Sequence, residues 1–340
     1  MRTLLITDLH LNSKIPGLLD SQVSCFHKIL KDENPDDVII MGDVFMHRKP
    51  TPSELLSLKE ILRECTGSEG RKTVIIRGNH DSETKADDGV TALSVFKNDY
   101  ISVVTHAHTD TTKKRVFIPH YENEEHIIYL LEMVPENYTV FGHFGYAGCL
   151  NSVGDADFSL SLRHFGNTTY LGHIHNFMQG QGGLREVNTK VTCLGTPYTT
   201  NYGEAFKDSF YAILEGDSVE YKKPNCGPRH LVYSSQDLDY TTPRGRENLE
   251  NVNDPNYTTF LRVMVDIDHF PIPYDKLNVH TIDVKYSPVF NEEDLSSYTP
   301  ERELFTINEM IISDYVEQAN STLPFNTLME GYRLLKDADC

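Results

Sequence analysis

Five short motifs each follow an apolar run in the first half of this 340-residue sequence: Asp8-Leu9-His10, Gly42-Asp43, Gly78-Asn79-His80-Asp81, Gly142-His143 and Gly172-His173-Ile174-His175. Imidazole nitrogens with carboxylate and amide oxygens, and no thiolate among them, form a donor set for borderline or hard divalent ions. Such a set could hold two ions beside a phosphate ester. Paired ions lower the pKa of water and clamp the phosphate oxygens. Taken singly the motifs are common: Gly-Asp after a strand is usually a turn, and Gly-Asn-His-Asp can be a turn with an Asx cap. The weight lies in their joint occurrence, in order, at successive strand ends. His106, His108, His126, His164 and His230 lack that placement and read as surface or satisfied core residues.

The elements that must position these motifs alternate at first. Strands are expected at 4–7, 38–41 and 74–76, with helices at 18–30 and 53–63 between them. Ser53, after Pro50 and Pro52, reads as the N-cap of the second helix. This alternation implies a parallel sheet with right-handed crossovers. Further strands are expected at 101–104, 116–118, 138–141, 169–171, 191–194, 210–214 and 219–221, with a helix at 124–132. Their close spacing favours a mixed sheet or two packed sheets. In open α/β sheets, ligands bind outside the carboxyl ends of strands. Five such ends converging on one edge would therefore build a site. Residues 236–257 are polar and rich in turn formers, and read as a linker or long loop. Strands at 259–265 and 281–284 suggest a small second domain. Apolar residues at 304, 307, 311 and 315 mark a helical face, and Pro324 opens a second helix.

Composition narrows the class. The hydrophobic fraction is 39%, and no run approaches the roughly 20 apolar residues that span a bilayer. The first strand starts at Arg2, which leaves no room for a leader, so a cytoplasmic location is expected (the host cytoplasm for a viral chain). The six cysteines fit neither a zinc knuckle nor a redox pair and read as reduced thiols. A formal net charge of −19 disfavours tight independent binding to nucleic acid. Basic residues do cluster at Arg48-Lys49, Lys113-Lys114-Arg115, Lys222-Lys223 and Arg244/Arg246, but such clusters are most often solvated surface. A partner could supply the missing positive surface.

The ordered set D-x-H, GD, GNH-D/E, GH and GHxH resembles the calcineurin-like metallophosphoesterase superfamily, over about residues 2–215. The resemblance implies an α/β fold: a β-sandwich of two mixed sheets flanked by helices. It also implies a site. Asp8, His10 and His175 would bind one metal, Asn79, His143 and His173 the other, and Asp43 would bridge them. His80 would face the scissile phosphate and stabilise or protonate the leaving oxygen. The family usually carries Asp or His three residues after the bridging Asp. Here that position is Met46, followed by His47. Either His47 swings in to orient the catalytic imidazole, or Asp81 does so, or the support is missing.

Within the superfamily, Gly42-Asp43-Val44-Phe45, Cys193-Leu194-Gly195-Thr196-Pro197 and the C-terminal extension are similar to SbcD-like nucleases, including those of tailed phages. That closer resemblance implies a nuclease domain at 1–225, a small α+β capping domain contacting DNA at 226–300, and a C-terminal helical segment at 301–340. The segment would bind an SbcC-like coiled-coil ATPase, the chain forming a homodimer within a heterotetramer; the alternative is an amphipathic helix pair that packs on the chain's own core. The implied activity is a Mn2+-dependent DNA exonuclease and endonuclease of recombination, replication and double-strand-break repair. Mn2+ is expected first, with Fe2+, Zn2+ or Mg2+ behind it. The alternative is a small-molecule phosphodiesterase or phosphatase acting on nucleotides. A third reading, a scaffold that has lost catalysis, is opposed by the intact ligand set.

Overall fold

The computed structural model describes residues 1–67, 70–150, 158–184, 189–265 and 272–286. Residues Met1–Ser287 form one compact unit. The helices expected beyond residue 300, and the partner-binding segment at 301–340, lie outside the described residues. No described helix is long and apolar enough to cross a membrane.

Fifteen strands are described. They are β1 (Arg2–Ile6), β2 (Asp37–Ile40), β3 (Lys72–Ile76), β4 (Ile101–Val104), β5 (His108–Asp110), β6 (Arg115–Ile118), β7 (Thr139–His143), β8 (Thr169–Gly172), β9 (Met178–Gly182), β10 (Thr189–Cys193), β11 (Tyr211–Glu215), β12 (Ser218–Lys222), β13 (Gly227–Ser234), β14 (Tyr257–Val265) and β15 (Thr281–Tyr286). Two six-stranded mixed sheets run β12-β11-β1-β2-β3-β4 and β5-β6-β7-β8-β10-β9, and a third of three strands runs β13-β14-β15. The parallel run β1 to β4 is joined by α1 (Leu18–Glu33) and α2 (Pro52–Thr66), as the alternation predicts. In the second sheet β6, β7, β8 and β10 are parallel.

The strand sequences are apolar without a break because both faces are covered. Leu4, Ile6, Val38 and Ile40 pack outward with Phe26, Ile29, Leu58 and Ile61 of α1 and α2. Between them in sequence, Leu5 and Ile39 point inward. They join Phe117, Phe141, Tyr170 and Leu194 from the second sheet. Val116, Ile118, Val140 and Leu171 pack on that sheet's outer side with Ile127 and Leu131 of α3 (Glu124–Glu132). Period-two alternation thus builds two layers and a shared interior.

Three details differ from the sequence reading. The cap of α2 is Thr51, not Ser53. Pro52 takes the first helical position, Thr51 Oγ1 accepts from Glu54 N–H, and Glu54 accepts from Thr51 N–H, which closes a capping box. The segment expected as a loop at 236–257 holds α4 (Pro243–Val252). Its sequence, PRGRENLENV, buries only Gly245, Leu249 and Val252, so its apolar stripe is faint. It forms because β13 and β14 are parallel, and a parallel pair needs a crossover. The strands β5, β9 and β13 are not expected from the sequence either; in β13, Pro228, Arg229 and His230 break the apolar pattern. Replacing Thr51 by Ala is expected to lower stability by about 1 kcal/mol, read as a lower midpoint in urea with an unchanged slope. A loss within error of zero would show that Glu54, which also accepts from Ser13 N–H at 2.8 Å, holds the turn without the cap.

Candidate metal centre

The strand ends meet, but from two sheets rather than along one edge. The first sheet delivers Asp8 and His10 after β1, Asp43 after β2, and Asn79 and His80 after β3. The second delivers His143 as the last residue of β7, and His173 and His175 after β8. Each set comes from parallel neighbours, so their carboxyl ends lie side by side. The site occupies the seam where the two sets face each other.

Three donor groups lie within ligand-sharing distance: Asp8 with His10 and His175, Asp43 with His143 and His173, and His10 with Asp43 and His80. His10 Nε2 is 3.0 Å from His175 Nε2, 3.7 Å from Asp8 Oδ1 and 3.9 Å from Asp43 Oδ2. His143 Nε2 is 3.3 Å from Asp43 Oδ1 and 3.2 Å from Asn79 Oδ1, and His173 Nδ1 is 2.9 Å from the same amide oxygen. Asp43 therefore stands between two donor sets, one oxygen toward each. All of Asp8, His10, Asp43 and His143 are buried. Two imidazole nitrogens 3.0 Å apart require a shared proton or a cation between donors. With two carboxylates and an amide oxygen converging on the same space, the residues fit a pair of divalent ions.

The backbone is bent hard to achieve this. Asp8, His10, Asp43 and His173 all have positive φ, at 52, 45, 47 and 80°. Each such non-glycine position costs on the order of 1–3 kcal/mol and persists only where the surroundings fix it. Here Asp8 N–H donates to Gly42 O and His10 N–H to Asp43 O, both at 3.0 Å. Gly42 itself has φ 95°, and a Cβ there would lie 2.2 Å from the His143 ring. At Gly78 a Cβ would lie 2.1 Å from Asp43 Oδ1. Both glycines are required by close approach of their neighbours.

Secondary contacts aim the rings. His143 Nδ1–H donates to Met41 O at 2.7 Å, which turns Nε2 toward the cluster. His80 Nδ1–H donates to Met46 O at 2.7 Å, and His80 N–H donates to Asp43 Oδ1 at 2.8 Å. Thus Met46 orients His80 through its backbone carbonyl, a route that a comparison of side chains does not consider. His47 makes no hydrogen bond with described residues. Asp81 is committed elsewhere: Oδ1 accepts from Val44 and Phe45 N–H, and Oδ2 from Gly78 N–H. It ties the Gly42 turn to the Gly78 turn and fixes the seam on which Asp43 and His80 stand.

Burial pushes His10 and His173 down to about 3, so both imidazoles are neutral, the form that ligates metal. Burial acts the same way on His143, but the adjoining Asp43 carboxylate outweighs it and raises His143 to about 9. Burial would raise Asp43, yet His143 holds it well below the usual carboxylate range. Asp8 is raised by burial, and Asp81 is pushed up to about 6 by burial and by Asp43.

Two residues belong to the site that the motifs do not contain. Glu204 accepts from His175 Nδ1–H and is held by Thr200 N–H at 2.6 Å and by the Thr200 hydroxyl. The ion pair with His175 overcomes the cost of burial and keeps Glu204 below the usual range. No motif marks it, because it lies 29 residues from its partner. The other is His120, whose ring centroid is 5.6 Å from that of His173 and 6.3 Å from that of His143. It follows β6 directly after Ile118-Pro119, so it too is a histidine just past a strand end, and that was the overlooked signal. Glu204→Ala is expected to weaken binding of the metal on His175 by roughly 10–100-fold. Glu204→Gln should recover part of that, and titration of the apoprotein with Mn2+ measures both. Equal affinity in wild type and Glu204→Ala would remove the positioning role.

Residues 1–177 match the calcineurin-like phosphoesterase family. No curated protein matches the chain. Among solved structures, the chain is similar to a nuclease MPE of Pseudomonas putida at 17% identity, covering 52% of this chain and 62% of that one, with TM-score 0.29. It therefore spans under two thirds of that nuclease. It is also similar to the phosphoesterase Yfce of E. coli (13% identity, 66% and 94% covered, TM-score 0.37) and to a dimetal phosphatase of Danio rerio (12% identity, 65% and 95% covered, TM-score 0.39). With its family match over half the chain, its two mixed sheets and its paired His/Asp clusters, this protein belongs to the calcineurin-like phosphoesterases, metal-dependent enzymes that typically hold two divalent ions.

Proposed function

We propose that this chain is the nuclease subunit of an SbcCD-like complex: a Mn2+-dependent DNA exonuclease and endonuclease acting in recombination and double-strand-break repair. The observation that carries the hydrolytic part is the position of Asp43, with one oxygen toward His10 and the other toward His143. Asp8, His10 and His175 would hold one ion, Asn79, His143 and His173 the other, and Asp43 both. The ions would activate water and neutralise charge on the phosphate. The chain's own part is to fix geometry and move a proton. Hydrolysis forms a P–O bond from water and breaks the P–O bond to the leaving nucleoside. His80, with Nδ1–H tied to Met46 O, presents Nε2 to that leaving oxygen and donates the proton it takes up.

The choice of DNA over a small ester rests on what is attached to the site. The sheet β13-β14-β15 packs against residues 199–204, the segment that carries Glu204. His230 N–H donates to Thr199 Oγ1 at 2.7 Å, and the Arg262 guanidinium lies 4.1 Å from the Tyr202 ring centroid. A second layer behind a metal ligand would extend the surface available to a polymer and would be superfluous for a small ester. The basic clusters do not supply the grip. Lys113 and Arg115 pair with Asp37, Lys222 with Glu33, Lys223 with Asp208, and Arg48 approaches Glu122. An SbcC-like coiled-coil ATPase, bound through residues 301–340 to a dimer of this chain, would provide positive surface. That internal pairing of basic residues also favours the second reading, a nucleotide phosphodiesterase or phosphatase on the same site.

Purified protein with Mn2+ is expected to degrade labelled duplex DNA from its ends, and a chelator to stop it. Hydrolysis of bis(p-nitrophenyl) phosphate without cleavage of any DNA substrate would establish the second reading instead. His80→Asn should lower kcat by about 10²–10⁴-fold at unchanged metal content. Asp43→Ala should lose both ions, because one carboxylate serves two sites. Two equivalents of metal retained in that variant by elemental analysis would contradict the bridging role.

A further inference from the structure

Beside the second donor cluster lies a cavity of about 240 Å³, lined among others by His120, His173, Phe144, Phe158, Glu122 and Glu124. Its volume is below the roughly 300–1,000 Å³ of pockets for drug-sized ligands, which suits a single ring system. Its walls are aromatic. The Phe158 ring stands edge-on to His173 at 5.4 Å, and a Cβ on Gly145 would come within 2.6 Å of the Phe158 ring, so a glycine there makes room for it.

His120 has an unusual status within this cavity. Its backbone is pinned on both sides: His120 N–H donates to Arg77 O at 3.0 Å, and Arg77 Nη2 donates to His120 O. Its side chain is not. Both ring nitrogens are buried and neither has a hydrogen-bond partner. Glu122 Oε1 is 3.8 Å from Nε2, beyond hydrogen-bonding range. His120 is also absent from every group of converging metal donors among the described residues. His120 lines the cavity, and its buried, unpartnered nitrogens would gain a partner if a polar ring entered and the imidazole turned toward it.

The lining selects that visitor. Glu122 and Glu124 would repel a second phosphate, whereas a heteroaromatic ring with N–H donors and ring-nitrogen acceptors matches carboxylates, an imidazole and aromatic walls at once. We infer that this cavity seats the nucleobase of the nucleotide bearing the scissile phosphate, with Phe158 as stacking wall and His120 as hydrogen-bonding partner. The inference deepens the hydrolytic reading above and rests on the phosphate lying at the donor clusters. It makes His120 and Phe158 substrate-binding residues and gives the enzyme a preference for an intact base at the cleaved position.

The experiment compares deoxyadenosine 5′-monophosphate with deoxyribose 5-phosphate as competitive inhibitors of bis(p-nitrophenyl) phosphate hydrolysis by the Mn2+-loaded full chain. Base stacking on an aromatic wall predicts an inhibition constant roughly 10-fold lower for the nucleotide. In Phe158→Leu and His120→Gln that ratio should fall toward one, with deoxyribose 5-phosphate as the internal reference for an intact site. A wild-type ratio of one, or a ratio that both variants leave unchanged, overturns the inference. The same proteins are then offered duplex DNA with an intact or an abasic terminal residue. Base-dependent inhibition without cleavage of DNA would keep the pocket and refute the nuclease reading. Cleavage of both DNAs at one rate, with an inhibition ratio of one, would do the reverse.

Discussion

Two carboxylates buried in the seam between the sheets govern the rest of the molecule. Asp8 is fully shielded from solvent and Asp43 nearly so, and each raises the energy of the other's charge. Burying charge is costly unless it is paired or coordinates metal. The protein surrounds the pair with His10, His143, His173 and His175, and commits Thr7 Oγ1 and the His173 N–H to Asp8. Without ions, protons on His143 beside Asp43 and on His175 between Asp8 and Glu204 would offset that charge. Divalent cations satisfy the same oxygens without that compromise, so the fold and its metals are parts of one electrostatic solution.

The second constraint is the strain taken to put those groups there. Four non-glycine residues at the centre sit in left-handed backbone conformations, three of them just past strands of the first sheet. Strained turns hold only on a rigid base, and the sandwich supplies it. Each parallel strand buries one set of side chains against helices and the alternate set against the other sheet. The strand ends are therefore fixed from both sides. Asp81 adds the last restraint by joining the Gly42 and Gly78 turns through three amide hydrogens. An aspartate that looks catalytic by its place in a motif does its service through the backbone.

Which parts were legible in the sequence follows from where the information resides. Strand ends carrying Asp43, Asn79, His143 and His173 are local patterns of an apolar run, a glycine and a donor, and Asp8 follows its apolar run through Thr7 without a glycine. The helix cap at Thr51 was misassigned because Ser53 is also a good capping residue, and only the Pro52 position in the first turn decides between them. The helix α4 was invisible because its two buried apolar residues, Leu249 and Val252, make too narrow a stripe, and its cause is the parallel pairing of distant strands. Glu204 and Met46 O escaped for a related reason. One is a contact across sequence, and the other is a backbone atom whose availability no side-chain pattern records. His120 was legible in principle, since it stands one Pro beyond β6.

The charge distribution bears on how such a site could meet a polyanion. A net charge of −19 opposes approach of DNA, and the structure shows most of the basic clusters already paired with the chain's own acids. What attraction remains would be concentrated at bound metals, whose positive charge would neutralise Asp8 and Asp43. An enzyme arranged this way would gain little affinity along the phosphate backbone and much at one phosphate, held by the metals and by whatever flanks them. That places the selectivity of the free chain in the neighbourhood of the scissile bond.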